Sequence, residues 1–245
     1  MFFFKKKTAF PSVDLSWLKT DMHSHLIPGV DDGVKDVETS LELIKGLKEL
    51  GYKKIITTPH VLWDIYPNTN EIIAQGIEEL KAAVAKEGLN IELYAAAEYF
   101  IDEHFEEAIK KRSPLLCISK NMVLVEFSML TAPYDLQTVI FELQMQDYIP
   151  VLAHPERYVY LGRNKQVFED LRIAGCLFQL NLLSVTGYYG RTVQDLAEYL
   201  IRNEYYDFAG TDMHHEHHLK ALQKLSSSPL YQKLKESSLL RNSAL

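Results

Sequence analysis

Two histidines one residue apart, His23 and His25, precede a loop that reads Leu-Ile-Pro-Gly-Val-Asp31-Asp32-Gly33. On an extended strand, side chains at i and i+2 share a face, so both imidazoles can reach one cation. The Pro-Gly and Asp-Gly steps predict a tight turn leaving the strand end, and that turn carries two carboxylates back towards the histidines. A His-x-His pair by itself recurs by chance. Here the same chemistry returns along the chain, with His60, Glu98, Glu126, His154, Asn181, Asp212 and His214 each at or just beyond the end of a short apolar run. Five of the nine histidines fall at such places, whereas a surface scatter, expected for His104, would not group them. A carboxylate that closes an apolar strand is costly without a partner, and a bound cation removes that cost.

Imidazoles and carboxylates without thiolates suit manganese, iron or zinc, with manganese the first expectation. The donors outnumber what one ion needs, and two or three ions sharing a bridging carboxylate would use them all. Such a cluster lowers the pKa of a bridging water towards about 7 and clamps an in-line phosphoryl displacement. Competing chemistries leave no trace. Neither Cys117 nor Cys176 has an arginine six residues on, and there is no Gly-x-x-x-x-Gly-Lys loop, Gly-x-Ser-x-Gly elbow or His-Glu-x-x-His helix.

The elements that would position these groups alternate between short apolar runs and helical patterns. Strands are predicted ending at residues 23–25 and over 54–57, 91–96, 122–126, 150–153, 177–180 and 207–210. Helices are predicted over 36–50, 70–86, 102–111, 136–146, 165–174 and 192–203, with one or two more in the tail. Seven βα units favour parallel strands with helical crossovers, and hence a closed or nearly closed barrel, although a doubly wound open sheet has the same pattern. In a parallel barrel the strand C-termini open on one face, where the site forms.

The 245 residues are 47% hydrophobic, enough for a full core. No internal Gly-, Ser- or Pro-rich linker divides them, so residues 19–245 are expected to form a single domain preceded by an arm over 1–18. A net charge of −7 lacks the footprint of a nucleic-acid partner. Cys117 and Cys176 read as thiols of a reducing compartment, no run reaches membrane-spanning length, and a cytoplasmic protein is expected. The Phe-Phe-Phe-Lys-Lys-Lys start inverts the order of a secretory signal.

Taken together, His23-Ser-His25 with its Pro-Gly-Val-Asp-Asp-Gly loop, Thr-Pro-His60, Ala-Glu98-Tyr, Val-Glu126-Phe, Ala-His154-Pro-Glu-Arg157 and Thr-Asp212-Met-His214 resemble the polymerase and histidinol phosphatase (PHP) superfamily. The loop and the His-Pro-Glu-Arg motif are most similar to the metal-dependent protein-tyrosine phosphatases of bacterial capsule and exopolysaccharide loci. The resemblance covers roughly residues 19–225. It implies a distorted (β/α)7 TIM-like barrel with three metal ions at the C-terminal strand ends. One ion would be held by His23, His25, Glu98 and Asp212, a second by Glu98, Glu126 and His154, and a third by Asp32, His60 and His214. Arg157 would bind the phosphoryl oxygens, and with Asp212 and His214 it makes up the expected catalytic set. The implied activity is hydrolysis of phosphotyrosine, on the tyrosine kinase of an exopolysaccharide system, by a metal-bridging hydroxide.

The sequence departs from that pattern after His214. Relatives carry an arginine there as a second phosphate contact, whereas this chain reads His215-Glu-His217-His218-Leu219-Lys220. Either Lys220 or a histidine replaces it, or the phosphate is held less firmly; Arg191 is a further candidate, and the histidines otherwise read as a solvated helix start. The aromatic loop containing Tyr188 and Tyr189 could flank a phenyl ring. A small-molecule phosphatase of the histidinol-phosphate type, or a non-catalytic regulatory domain of polysaccharide export, are the alternatives; a complete ligand set argues against the latter.

Overall fold

Alternating apolar residues build the inner and outer faces of a curled parallel sheet. The structure, a computed structural model, describes residues 13–133 and 136–245. Nine strand segments are β1 (Thr20–Asp21), β2 (Lys54–Thr57), β3 (His60–Val61), β4 (Glu92–Ala95), β5 (Glu98–Phe100), β6 (Met122–Glu126), β7 (Ile149–Ala153), β8 (Leu177–Asn181) and β9 (Phe208–Gly210). All neighbours pair in parallel, in the orders β1-β2-β4 and β3-β5-β6-β7-β8-β9. The two sheets are continuous at their junction. Only Thr58-Pro59 separates β2 from β3, only Ala96-Ala97 separates β4 from β5, and Ala96 N–H donates to Thr57 O while Glu98 N–H donates to Pro59 O.

The far edges also meet. Ser24 bridges Met213 in parallel, Asp212 N–H donates to His23 O and His25 N–H donates to Met213 O. Below this seam the buried Asp21 carboxylate accepts both the N–H and the hydroxyl of Thr211. Asn242 joins the edges from the tail, donating to Thr20 O and Ala209 O and accepting from Ala209 N–H.

Eight helices cover the outside: α1 (Val37–Glu49), α2 (Asn70–Lys86), α3 (Glu103–Lys110), α4 (Leu136–Gln144), α5 (Gln166–Ile173), α6 (Arg191–Arg202), α7 (Glu216–Leu222) and α8 (Pro229–Ser237). Each of the first three starts at a side-chain cap, Asp36, Thr69 and Asp102, whose oxygen takes an otherwise orphaned N–H. Among the described residues, no helix is long and apolar enough to cross a membrane.

A small cluster of Met22, Ile56, Ala96, Leu124, Val151, Ala153 and Phe208 fills the inside of the curl, while the larger cluster packs between strands and helices. Strand periodicity of two does the rest. Glu98 lies two residues beyond Ala96 and Glu126 two beyond Leu124, so the inner faces end in carboxylates. The arm expected over 1–18 lies outside the described residues as far as residue 12. Its described part belongs to the core instead: Val13, Leu15 and Leu18 are buried, and Trp17 donates to the Tyr231 hydroxyl.

Candidate metal centre

The chain at or just beyond the ends of β1, β3, β5, β6, β7 and β9 delivers buried or half-buried donors to one place, and Asp32 joins them from the loop after His25. Glu98 is the hub. Its Oε2 lies 3.1 Å from His23 Nε2, 3.4 Å from His25 Nε2 and 3.1 Å from His60 Nδ1, and its Oε1 lies 3.1 Å from His154 Nε2. Asp212 Oδ1 is 3.4 Å from His23 Nε2, His25 Nε2 and His214 Nδ1. Glu126 Oε1 is 2.9 Å from His60 Nδ1, and Asp32 Oδ1 is 3.4 Å from His60 Nε2 and 3.5 Å from His214 Nε2. Four overlapping groups could each hold an ion: His25, Asp32, His60 and His214; His23, His154 and Asp212; His23, His25 and Glu98; and His60, Glu98 and Glu126. All nine residues named as candidate ligands from the sequence are thus brought together. His60 presents both ring nitrogens, one to each of two groups.

The donors fit cations better than they fit one another. Glu98 Oε2 and His60 Nδ1 approach to 3.1 Å yet form no hydrogen bond, and His154 Nδ1 is buried without a hydrogen-bond partner. The Nε2 atoms of His23 and His25 face each other at 3.3 Å, an arrangement that only a shared proton or a shared cation relieves.

The surrounding hydrogen bonds set which nitrogen is offered. His23 Nδ1 meets Gln179 Oε1 at 2.8 Å and His25 Nδ1 meets Asp31 Oδ2 at 2.7 Å, while His214 Nδ1 donates to Asp212 O at 2.9 Å. Each acceptor holds the proton on Nδ1 and leaves Nε2 as the lone-pair donor. Asp31 also accepts the N–H groups of Gly33 and His60, so one carboxylate fixes the loop, a ring and the next strand. Close approach demands glycine at two points. A Cβ on Gly33 would lie 2.3 Å from His25 O, and one on Gly210 would lie 2.6 Å from His23 Cβ.

Two of the ligand candidates, His154 (φ 34°) and Asp212 (φ 51°), have left-handed backbones, a conformation uncommon for residues other than glycine. Burial alone would lower the His23 pKa, but the Glu98 and Asp212 carboxylates override it and raise it to about 9. His25 and His60 are likewise raised against burial, chiefly by Asp31 and by Glu98 respectively. Burial works to raise Glu98 and Asp212, yet the His23 imidazole and its neighbours hold both well below the usual carboxylate range.

The centre opens into a cleft of about 360 Å³ lined by Asp32, His60, Glu126, Met129, His154 and Arg157, with Tyr189, Asp212, His214, His215 and His218 completing it. Arg157 Nη1 donates to Asp212 Oδ2 at 2.9 Å. The adjacent Glu156 is turned elsewhere, buried against Asn181 N–H, Ser184 and Tyr206. Lys220 and Arg191 are not brought to the cleft. Lys220 pairs with Glu216 and Arg191 with Asp195, both on exposed helix faces, because i, i+4 spacing turns them away from the strand ends. His218, expected at a solvated helix start, is buried and donates from Nδ1 to Asp212 O at 3.0 Å.

The family model for capsular polysaccharide synthesis proteins CpsB/CapC matches residues 19–239. The chain belongs to the CpsB/CapC family. Tyrosine-protein phosphatase YwqE of Bacillus subtilis is 27% identical over 235 residues, covering 92% of this chain and 92% of YwqE. Tyrosine-protein phosphatase CpsB of Streptococcus agalactiae is 30% identical over 201 residues, covering 79% of this chain and 82% of that one. Among solved structures, one reported for YwqE from B. subtilis and CpsB from Streptococcus pneumoniae, metal-dependent tyrosine phosphatases, superposes with a TM-score of 0.75 at 28% identity, covering 91% of this chain and 94% of that one. A lactonase from Listeria monocytogenes shares the fold at 12% identity and a TM-score of 0.52. For this CpsB/CapC chain, two supporting residues carried little signal in the sequence. Asp31 was expected only as one of two loop carboxylates returning towards the histidines, not as the partner of His25 Nδ1, and Gln179 was only a polar residue inside an apolar strand.

Proposed function

We propose that this chain is a metal-dependent protein-tyrosine phosphatase of capsule or exopolysaccharide synthesis, with the PHP-type metal centre described above. The observation that carries the reading is the buried Glu98 carboxylate, whose two oxygens face four imidazole nitrogens. A neutral or structural role leaves that concentration of ionisable groups unexplained. Kinship with YwqE and CpsB supports the choice of phosphotyrosine.

Three divalent ions, manganese first, are proposed for the sets His23, His25, Glu98 and Asp212; Glu98, Glu126 and His154; and Asp32, His60 and His214. Bound there, they would activate a water and neutralise the charge of the transferred phosphoryl group. The chain's own residues do the rest. Asp31, Gln179 and the Asp212 carbonyl fix the imidazole tautomers. Arg157, with one N–H held by Asp212, offers its remaining donors to the phosphoryl oxygens as charge moves onto them. Asp212 divides its oxygens, Oδ1 towards the imidazoles and Oδ2 towards Arg157 and Asn181.

The same proposal includes the finer architecture. With β2–β3 and β4–β5 each taken as one interrupted strand, the curled sheet counts as a distorted (β/α)7 barrel of one domain, its centre at the C-terminal strand ends. The substrate is a phosphotyrosine protein, with the tyrosine kinase of the same system the proposed partner, and the compartment is the cytoplasm, where the free thiols Cys117 and Cys176 are at home. An open rim favours a residue on a chain over a small enclosed ester, since the Asp32 side chain is 53% exposed beside the cleft. The test is turnover of a phosphotyrosine peptide against histidinol phosphate, with metal content measured on the same sample. Preference for histidinol phosphate, or full turnover without metal, overturns the reading.

A further inference from the structure

We propose that Tyr189 is the positioning residue for Arg157, holding the guanidinium by its ring face so that a single arginine can serve the cleft. The inference rests on Arg157 as the phosphoryl clamp. Arg157 is the only lysine or arginine lining the cleft among the described residues, and Lys220 stands elsewhere. A long side chain on a short turn (Pro155–Arg157) has many rotamers, and a clamp that must be searched for is weak.

Two contacts restrict it, and a third residue links the two. One guanidinium edge donates to Asp212 Oδ2 at 2.9 Å. Its face lies over the Tyr189 ring, 4.7 Å from the guanidinium carbon to the ring centroid, within the range of a cation–π contact. Asn181 closes the circuit, its amide donating to the Tyr189 hydroxyl at 3.1 Å and to Asp212 Oδ2 at 2.9 Å. The ring itself is oriented by edge contacts, with Tyr188 at 5.0 Å and 86° and with His218 at 6.5 Å and 75°. Ring and carboxylate therefore hold the guanidinium on its face and one edge, and the Asn181 amide ties the two together. Tyr189 acts through Arg157 and touches no reacting atom in this account.

The test is a double-mutant cycle in manganese-loaded enzyme, read by kcat/KM on a phosphotyrosine peptide and by inhibition with inorganic phosphate. Tyr189→Leu is expected to lower kcat/KM about tenfold and to raise the phosphate inhibition constant similarly, the scale of a partly buried cation–π contact. Tyr189→Phe keeps the ring face, loses only the Asn181 link, and should fall about threefold. In an Arg157→Ala background, Tyr189→Leu should change either quantity by less than about twofold, with metal content unchanged throughout. Tyr189→Met, which also lacks a π face, must reproduce the leucine result and stands in for it should the leucine variant not fold. An equal drop in both backgrounds reveals general packing and overturns the proposal, as does full activity of Tyr189→Leu where Arg157→Ala is impaired. Wild-type turnover of Arg157→Ala instead refutes the clamp reading itself, and the positioning role falls with it.

Discussion

Replacing Glu98 by glutamine keeps the shape of the hub and removes its charge. Glu98 belongs to two of the four candidate groups, so the change withdraws a ligand from two ions at once. His214 belongs to one group, and His214→Ala is the single-ion control. His60→Ala is a poorer control, because beside its place with Asp32 its Nδ1 lies 2.9 Å from Glu126, a proposed ligand of the neighbouring ion, so its loss disturbs two sites. Disturbing an orienting partner of a metal ligand already costs about 10- to 100-fold in affinity, and loss of a charged bridging ligand should exceed that for both ions. After desalting, Glu98→Gln is expected to keep at most one ion per chain, against two for His214→Ala, as counted by elemental analysis. Peptide kcat/KM should fall by on the order of a thousandfold, the upper scale for losing one transition-state-stabilising group. Circular dichroism checks that both variants fold. Equal metal loss from the two variants would refute Glu98 as a bridge.

Arg157→Ala should lose on the order of a hundredfold or more in kcat/KM with metal content unchanged, and Arg157→Lys should recover only part of it, since the fork is not restored; wild-type turnover sinks the clamp. A chelator should abolish turnover and manganese restore it, while thiol alkylation leaves it intact, because Cys176 is buried and neither cysteine lines the cleft. Asn242→Ala removes three buried hydrogen bonds across the β1–β9 seam and leaves backbone groups unpaired, a loss of about 2 kcal/mol or roughly 4–8 °C in Tm, measured by thermal denaturation. In metal-free protein the His23 pKa is raised to about 9, so its stabilising contribution is complete below an unfolded value of about 6.5 and is lost as pH rises through 9. The metal-free Tm should therefore fall between pH 6.5 and 9; a midpoint flat across that window contradicts the protonated cluster.

Much of this was legible because strands and helices write different periods. Runs such as Met122–Glu126 alternate inner and outer residues, and each ends on a donor, so element order and ligand positions follow from the same pattern. What pattern could not supply was the third dimension. Lys220 and Arg191 lie close in sequence to the site, yet helical phase turns them outward into pairs with Glu216 and Asp195. Conversely, His218 looks like one of several surface histidines, and only the turn of α7 carries it inward to Asp212 O. Tyr189 was visible as part of an aromatic loop, but its contact with Arg157 joins the segment after β8 to the one after β7 and leaves no local mark. Residues 13–18 failed differently, since a single short stretch carries too few residues to reveal a period.

The strain and the charge at this centre have a common cause. His23, His25, Glu98 and Asp212 are nearly or fully buried, so their ionised forms persist only by satisfying one another. Without cations the imidazoles do this by holding protons, which is why the His23 pKa rises while the carboxylates are held low. Cations compete for the same Nε2 positions and must expel those protons, so metal affinity rises with pH just as the metal-free fold weakens. The left-handed His154 and Asp212 backbones cost on the order of 1–3 kcal/mol each, and neither has a glycine's freedom. With this backbone His154 meets Glu98, and Asp212 Oδ2 meets Arg157 and Asn181. Charges and backbone alike are thus held in positions that the proposed cations would relieve.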